Sequence, residues 1–262
     1  MHDDSRQNDR FGALLSQSWR TYDRLHDQEF VVRPAIPVLY FGDSKRYLSS
    51  KFRVVTVALN PSDKEFPNHD RYSRFPAASE MATDPAKRNH ANHREALDAY
   101  FHTDPYWGQW FNGIEPILNG MGVSYKHGHP NTALHTDICS PIATNPTWSA
   151  LSRKQRAMLE ADGVTIWRSL VDALAPDVIL VSIAERYLEK IHFSAVSQWQ
   201  VIWKLDRERP YQVWGKLLTI KSSRPSLLAF GRAAQTPFGT ISKAKKLEMG
   251  RAIKEFYDAN AK

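Results

Sequence analysis

The stretch Arg53-Val54-Val55-Thr56-Val57-Ala58-Leu59-Asn60-Pro61-Ser62 constrains the fold of this chain more than any other. Val54, Val55 and Val57 have the residue type of a strand buried on both faces of a parallel sheet. Pro61 ends the run, because it has no N–H to give to a ladder. In open α/β sheets, ligands bind just past the carboxyl ends of the strands. Asn60 stands at that position and is a candidate site residue. The alternative is that it caps the following turn.

Three further runs read as strands: Thr132 to Cys139, Val178 to Ile183, and Ser226 to Phe230. Helical spacing surrounds them, over about 10–27, 84–99, 107–119, 150–161, 164–174, 184–191 and 242–258. Asp84-Pro85 is a helix start, with Asp as N-cap and Pro at N1. Gly163 separates two helices, Val38 to Phe41 is a short strand candidate, and 198–222 is strand-like but irregular. Helices alternating with buried strands imply an α/β fold. The expectation is a three-layer α/β/α sandwich around a central, mostly parallel, four-stranded sheet. Residues 1–262 are expected to form one domain, with an N-terminal helical extension over about 1–37.

Composition narrows the partner. Of 262 residues, 42% are hydrophobic, which is enough for a core. The formal net charge of +7 favours a polyanionic partner such as nucleic acid. No apolar run approaches the roughly 20 residues of a membrane span. The N-terminus is polar, without a signal-peptide segment. Cys139 is the single cysteine, so an internal disulfide or a multi-cysteine metal site is excluded. A cytoplasmic setting and a monomer are expected.

The order of motifs carries a resemblance. A buried strand runs into Ala58-Leu59-Asn60-Pro61-Ser62, then comes a loop bearing Phe66, Tyr72 and Phe75-Pro76. An aromatic helix with Trp107-Gly108-Gln109-Trp110-Phe111 follows, then a strand into Cys139-Ser140-Pro141. The segment from Leu170 to Ile183 and a last strand with a polar loop complete the set. This order resembles the uracil-DNA glycosylase superfamily, most nearly its mismatch-specific and thymine-DNA glycosylase branch, over about 50–245.

The resemblance implies a monofunctional DNA glycosylase that needs no cofactor and no metal. In such enzymes the residue at the position of Asn60 holds the attacking water, and Asp63 is the candidate carboxylate beside it. Ser62, Phe66 and Phe75 are candidates to contact the flipped base, the two rings by stacking, although each ring is equally a core candidate. Asp137 stands where the family places base-recognition groups, with a capping role as the alternative.

The last motif departs from the family pattern. Phe230 is followed by Gly231-Arg232-Ala233-Ala234-Gln235-Thr236-Pro237, with no histidine. Arg232 is a candidate to contact phosphate or stabilise the leaving base. Gln235 is a candidate to fill the gap left by that base. Arg224 and Lys221 flank the last strand, and Lys243 opens a basic run on the final helix. These are DNA-contact candidates; a solvated face is the alternative for the final helix. The altered motif points away from uracil, toward a bulky or modified base as in phage defence.

The sequence leaves two other readings open. A non-catalytic nucleic-acid-binding module on the same fold is one. The other is an SGNH-like esterase using Ser44, since Phe41-Gly42-Asp43-Ser44 resembles that nucleophile turn, but its Asp-x-x-His partner is in the wrong order. The pairs His90/His93 and His127/His129 have ligand-like spacing, yet a metal needs three or four convergent ligands.

Overall fold

The computed structural model describes residues 2–102, 108–126, 128–220, 224–233 and 236–261. The helices are α1 (His2–Leu25), α2 (Ser44–Ser49), α3 (Ser79–Thr83), α4 (His90–Asp98), α5 (Gly108–Gly120), α6 (Arg153–Leu174) and α7 (Lys243–Asn260). The strands are β1 (Val54–Ala58), β2 (Val123–Ser124), β3 (Asn131–Asp137), β4 (Val178–Val181), β5 (Ser194–Ala195), β6 (Gln200–Leu205), β7 (Tyr211–Thr219) and β8 (Ser226–Gly231). The class is α/β, with a central, mostly parallel sheet flanked by helices, consistent with the three-layer expectation. No helix among the described residues is long and apolar enough to cross a membrane.

The chain divides into two compact units. One comprises Met1–Asp43, Leu59–Pro105 and Thr136–Leu174. In it α1 buries Phe11, Leu14, Leu15 and Trp19, the stripe expected from spacing. Thr21 and Arg24 of α1 donate to Asp162 of α6 at 3.1 and 2.6 Å. The helix expected to stop at Gly163 runs unbroken through it. A Cβ at Gly163 would lie 2.0 Å from the Cys139 carbonyl oxygen, so the glycine is there for close packing rather than termination. The expected strand at Val38 to Phe41 is instead an irregular buried segment, held by the Val38 N–H on the Pro141 carbonyl at 2.7 Å.

The other unit comprises Ser44–Ala58, Tyr106–His135 and Ala175–Lys262. Val54, Val55 and Val57 are fully buried there, as the two-sided run requires. The sheet order is β2-β3-β1-β4-β8-β7-β5, with β6 paired to β7. β1, β4 and β8 are parallel, in register from Val54, Val178 and Leu227 to Val57, Val181 and Phe230. The four expected strands are neighbours in this order, but among the described residues the sheet has eight strands. β7 turns antiparallel onto β8, and β6 onto β7. That extension was hard to read because β6 has no fully buried face and so no clear alternation.

Helices α5 and α7 of this unit touch backbone to backbone. A Cβ at Gly120 would meet the Leu247 carbonyl oxygen at 2.2 Å, and one at Gly250 the Ile117 carbonyl oxygen at 2.0 Å. Any larger residue at either position would push the helices apart.

Candidate active site

The chain leaves β1 and is zipped at once to the segment that follows β3. The Cys139 N–H donates to Leu59 O at 2.9 Å, the Thr144 N–H to Pro61 O at 3.2 Å, and the Asp63 N–H to Thr144 O at 3.2 Å. Between these rungs sits Asn60. Its amide nitrogen donates to Pro61 O at 2.7 Å, Thr144 Oγ1 at 2.9 Å and Ile142 O at 3.3 Å. The three acceptors fix which end of the amide is nitrogen. They also hold the turn, so the capping alternative describes a real part of what Asn60 does. No donor among the described residues meets its Oδ1. Ser62 accepts the Lys64 N–H at 3.3 Å and so caps the short 3₁₀ turn Asp63–Glu65.

Phe66 and Phe75 are buried in the same unit and stack on each other, with ring centroids 5.3 Å apart and planes 26° from parallel. Tyr100 packs on Phe75 at 5.3 Å and on Phe41 at 4.7 Å. As placed, neither phenylalanine offers a free face to a base. The core alternative describes them, since burying each ring stabilises the fold by about 2–3 kcal/mol.

Below these rings is a charged cluster that sequence reasoning missed. Arg74 Nη1 donates to Glu65 Oε2 at 2.9 Å, and Tyr100 OH donates to the same oxygen. The side chains of Arg74 and Glu65 are only 15% and 13% exposed. Burial raises the Glu65 pKa above the ordinary carboxylate range; Arg74 and the two hydrogen bonds oppose this, and the charge of buried Asp137 adds to it. The spacing Ser62-x-x-Glu65 is that of a capping box and was the available signal. The glutamate reaches Arg74 and Tyr100, however, rather than the cap.

Asp63 lies on the wall of a cavity of about 470 Å³, with Lys64, Asn68, Asn145 and Arg33. Arg71 braces this cavity. Its guanidinium donates to Pro34 O at 3.0 Å, to Phe66 O and Asn68 Oδ1 at 3.1 Å each, and to Arg33 O. Such a forked set of bonds is what arginine supplies and lysine cannot.

The loop after β8 is built differently. Its backbone is pinned at both ends while its arginine is left outside. Tyr211 OH donates to Arg232 O at 2.7 Å. The Phe238 N–H donates to Ser182 Oγ at 2.7 Å, with Phe238 at a positive φ of 56° and fully buried. A Cβ at Gly231 would lie 2.4 Å from the Phe238 ring, so Gly231 makes room for that ring. Lys246 is buried and donates to Gly113 O at 2.7 Å and Pro237 O at 2.9 Å; burial pushes its ammonium below the ordinary lysine range. The Arg232 guanidinium is 70% exposed and pairs with Glu185 at 2.6 Å.

The remaining candidates scatter. Arg224 and Lys243 are exposed. Gln235 and Lys221 lie outside the described residues. The expected basic run on α7 is largely consumed, because Lys246 is buried, Lys245 pairs with Glu248 and Lys254 pairs with Asp258.

Ser44 is fully buried at the start of α2, so it cannot meet an ester. His90 bonds Ser16 Oγ at 2.8 Å. His93 accepts from Trp19 Nε1 at 3.0 Å and contacts Pro37 O at 2.8 Å, so both ring nitrogens are engaged within the core. His127 lies outside the described residues, and these contain no cluster that could hold a metal ion. Searches of family models, curated proteins and solved structures found no match to this chain.

Proposed function

We propose that the chain is a monofunctional DNA glycosylase that hydrolyses the N-glycosidic bond of a damaged or modified base turned out of DNA. The observation that carries this reading is the state of Asn60. Its amide nitrogen is spent on Pro61, Ile142 and Thr144, which sets its orientation and leaves Oδ1 to hold a water. In the reaction, the bonding pair between the sugar carbon and the base nitrogen leaves with the base. Positive charge builds on the sugar, the water oxygen bonds the sugar carbon, and the water gives up a proton. Asp63, three residues further along the chain, is the proposed acceptor of that proton; it lines a cavity whose wall residues do not include Asn60. Arg232, on the loop after β8, is the proposed contact to a phosphate of the DNA. A neutral amide orients water without taking its proton, which suits bases that leave readily. The hydrolysis calls for no cofactor, and the proposed setting is a cytoplasmic monomer acting on DNA.

The test is incubation with DNA carrying candidate bases, with released base read by mass spectrometry and abasic sites by alkaline cleavage. Asn60→Ala is expected to lower base release by about 10²-fold or more, the usual loss when a positioned polar group is removed from such a site. Full activity of this variant on the best substrate would overturn the role given to Asn60. A second reading is a nucleic-acid-binding module without catalysis. The mutual covering of Phe66 and Phe75 favours it, since no base can stack on them as they stand. Tight, salt-dependent DNA binding with no base released from any substrate would select it.

A further inference from the structure

The antiparallel extension of the sheet holds a cleft of about 620 Å³ that the proposed hydrolysis does not use, although Arg232, already given a phosphate contact, is among its lining residues. Its walls are Trp199, Tyr211, Trp214, Phe230, Arg232 and Glu185. Trp214 on β7 stands opposite Phe230 on β8 in the ladder. Trp199 packs edge-on against Phe230 at 6.4 Å, and Lys216 Nζ sits 4.9 Å from the Trp199 ring centre. Trp214 is 36% exposed, one of few large apolar side chains left so open among the described residues.

The chemistry of the cleft selects its occupant. Aromatic faces favour a flat π-system, and the flanking cations Lys216 and Arg232 favour an attached negative charge. Among the described residues the Arg232 guanidinium is held only by an exposed carboxylate, and an exposed ion pair contributes little, so a phosphate can recruit it at little loss. A nucleotide has both parts. We infer that this cleft is a stacking subsite for a base of single-stranded DNA, with Trp214 as the platform and Arg232 on the adjoining phosphate. The inference takes DNA as the ligand from the proposed function and adds a second place where DNA is held.

The experiment is binding of a fluorescent oligothymidylate to the full chain, followed by anisotropy, beside an oligonucleotide of the same length made of abasic sites. Trp214→Ala is expected to weaken oligothymidylate binding roughly 5- to 100-fold, the range for loss of one stacked base. Trp214→Tyr, which keeps a ring, is expected to restore most of the affinity and so to separate stacking from misfolding. The abasic oligonucleotide is expected to bind the unmodified chain as weakly as oligothymidylate binds Trp214→Ala. Equal affinities of the unmodified chain and Trp214→Ala for oligothymidylate, or equal affinity of the unmodified chain for both oligonucleotides, would overturn the inference. Base release from duplex DNA is read separately. Its absence alongside Trp214-dependent binding would sink the glycosylase reading and leave this one standing.

Discussion

The loop after β1 and the loop after β8 are both anchored beyond the ends of buried parallel strands, yet they place their charges in opposite ways. In the first, Glu65 and Arg74 are sunk among Phe66, Phe75 and Tyr100 and bonded to each other. In the second, the backbone is pinned by Tyr211, Ser182 and Lys246, and the arginine itself stands in water. A buried pair is committed to structure, because separating it strands a charge away from solvent. An exposed pair is available to a ligand, because its partner is easily replaced. The comparison assigns Arg74 to stability and Arg232 to binding, although both are arginines paired to a glutamate at under 3 Å.

The sharpest way to break this contrast is to remove each arginine in turn. Arg74→Ala is expected to cost about 3–5 kcal/mol, since it leaves Glu65 buried without its cation. Urea unfolding measures this, and a loss below about 1 kcal/mol would show that the first loop relaxes to let water in.

Acid unfolding sharpens the same point, because His93 belongs to the same unit as the first loop. Burial is the largest cause holding its pKa down, to about 4. The unfolded chain takes up this proton near pH 6.5 and the folded chain only near 4. Stability is therefore full above about pH 6.5, falls as pH drops toward 4, and changes no further from this group below that. The loss is about 3 kcal/mol. Replacing His93 with Gln should flatten the pH dependence of the urea midpoint between those limits; an unchanged slope would assign the acid sensitivity to other groups.

The smallest effect is expected at the second loop. Arg232→Ala should change the melting temperature by an amount equivalent to about 0.5 kcal/mol or less, while weakening DNA binding and its dependence on salt. A stability loss as large as that of Arg74→Ala would erase the distinction between the two loops.

Much of the scaffold was legible in the residues. The β-branched runs Val54 to Val57 and Val178 to Val181 read as strands covered on both faces, and their alternation with helical segments pointed to a mostly parallel sheet. Asp84 reads as a cap and does cap, accepting the Ala86 N–H at 2.9 Å. The position of Asn60 past β1 followed from Pro61. These features depend on near neighbours in the chain, so local chemistry suffices to find them.

The site resisted the same reading wherever its meaning lies in distant partners. Phe66 needed Phe75 and Tyr100 beside it before it could be recognised as covered. Lys246 looked like one more surface lysine until the carbonyls of Gly113 and Pro237 surrounded it. Gly163 looked like a helix stop, and only the Cys139 carbonyl pressed against it explains a glycine inside an unbroken helix. By itself the sequence determined the α/β class, the central buried strands and the placing of Asn60, because burial and proline leave a local signature. Only the tertiary structure decided which charges are sealed and which are open, because that depends on what long-range packing brings against them.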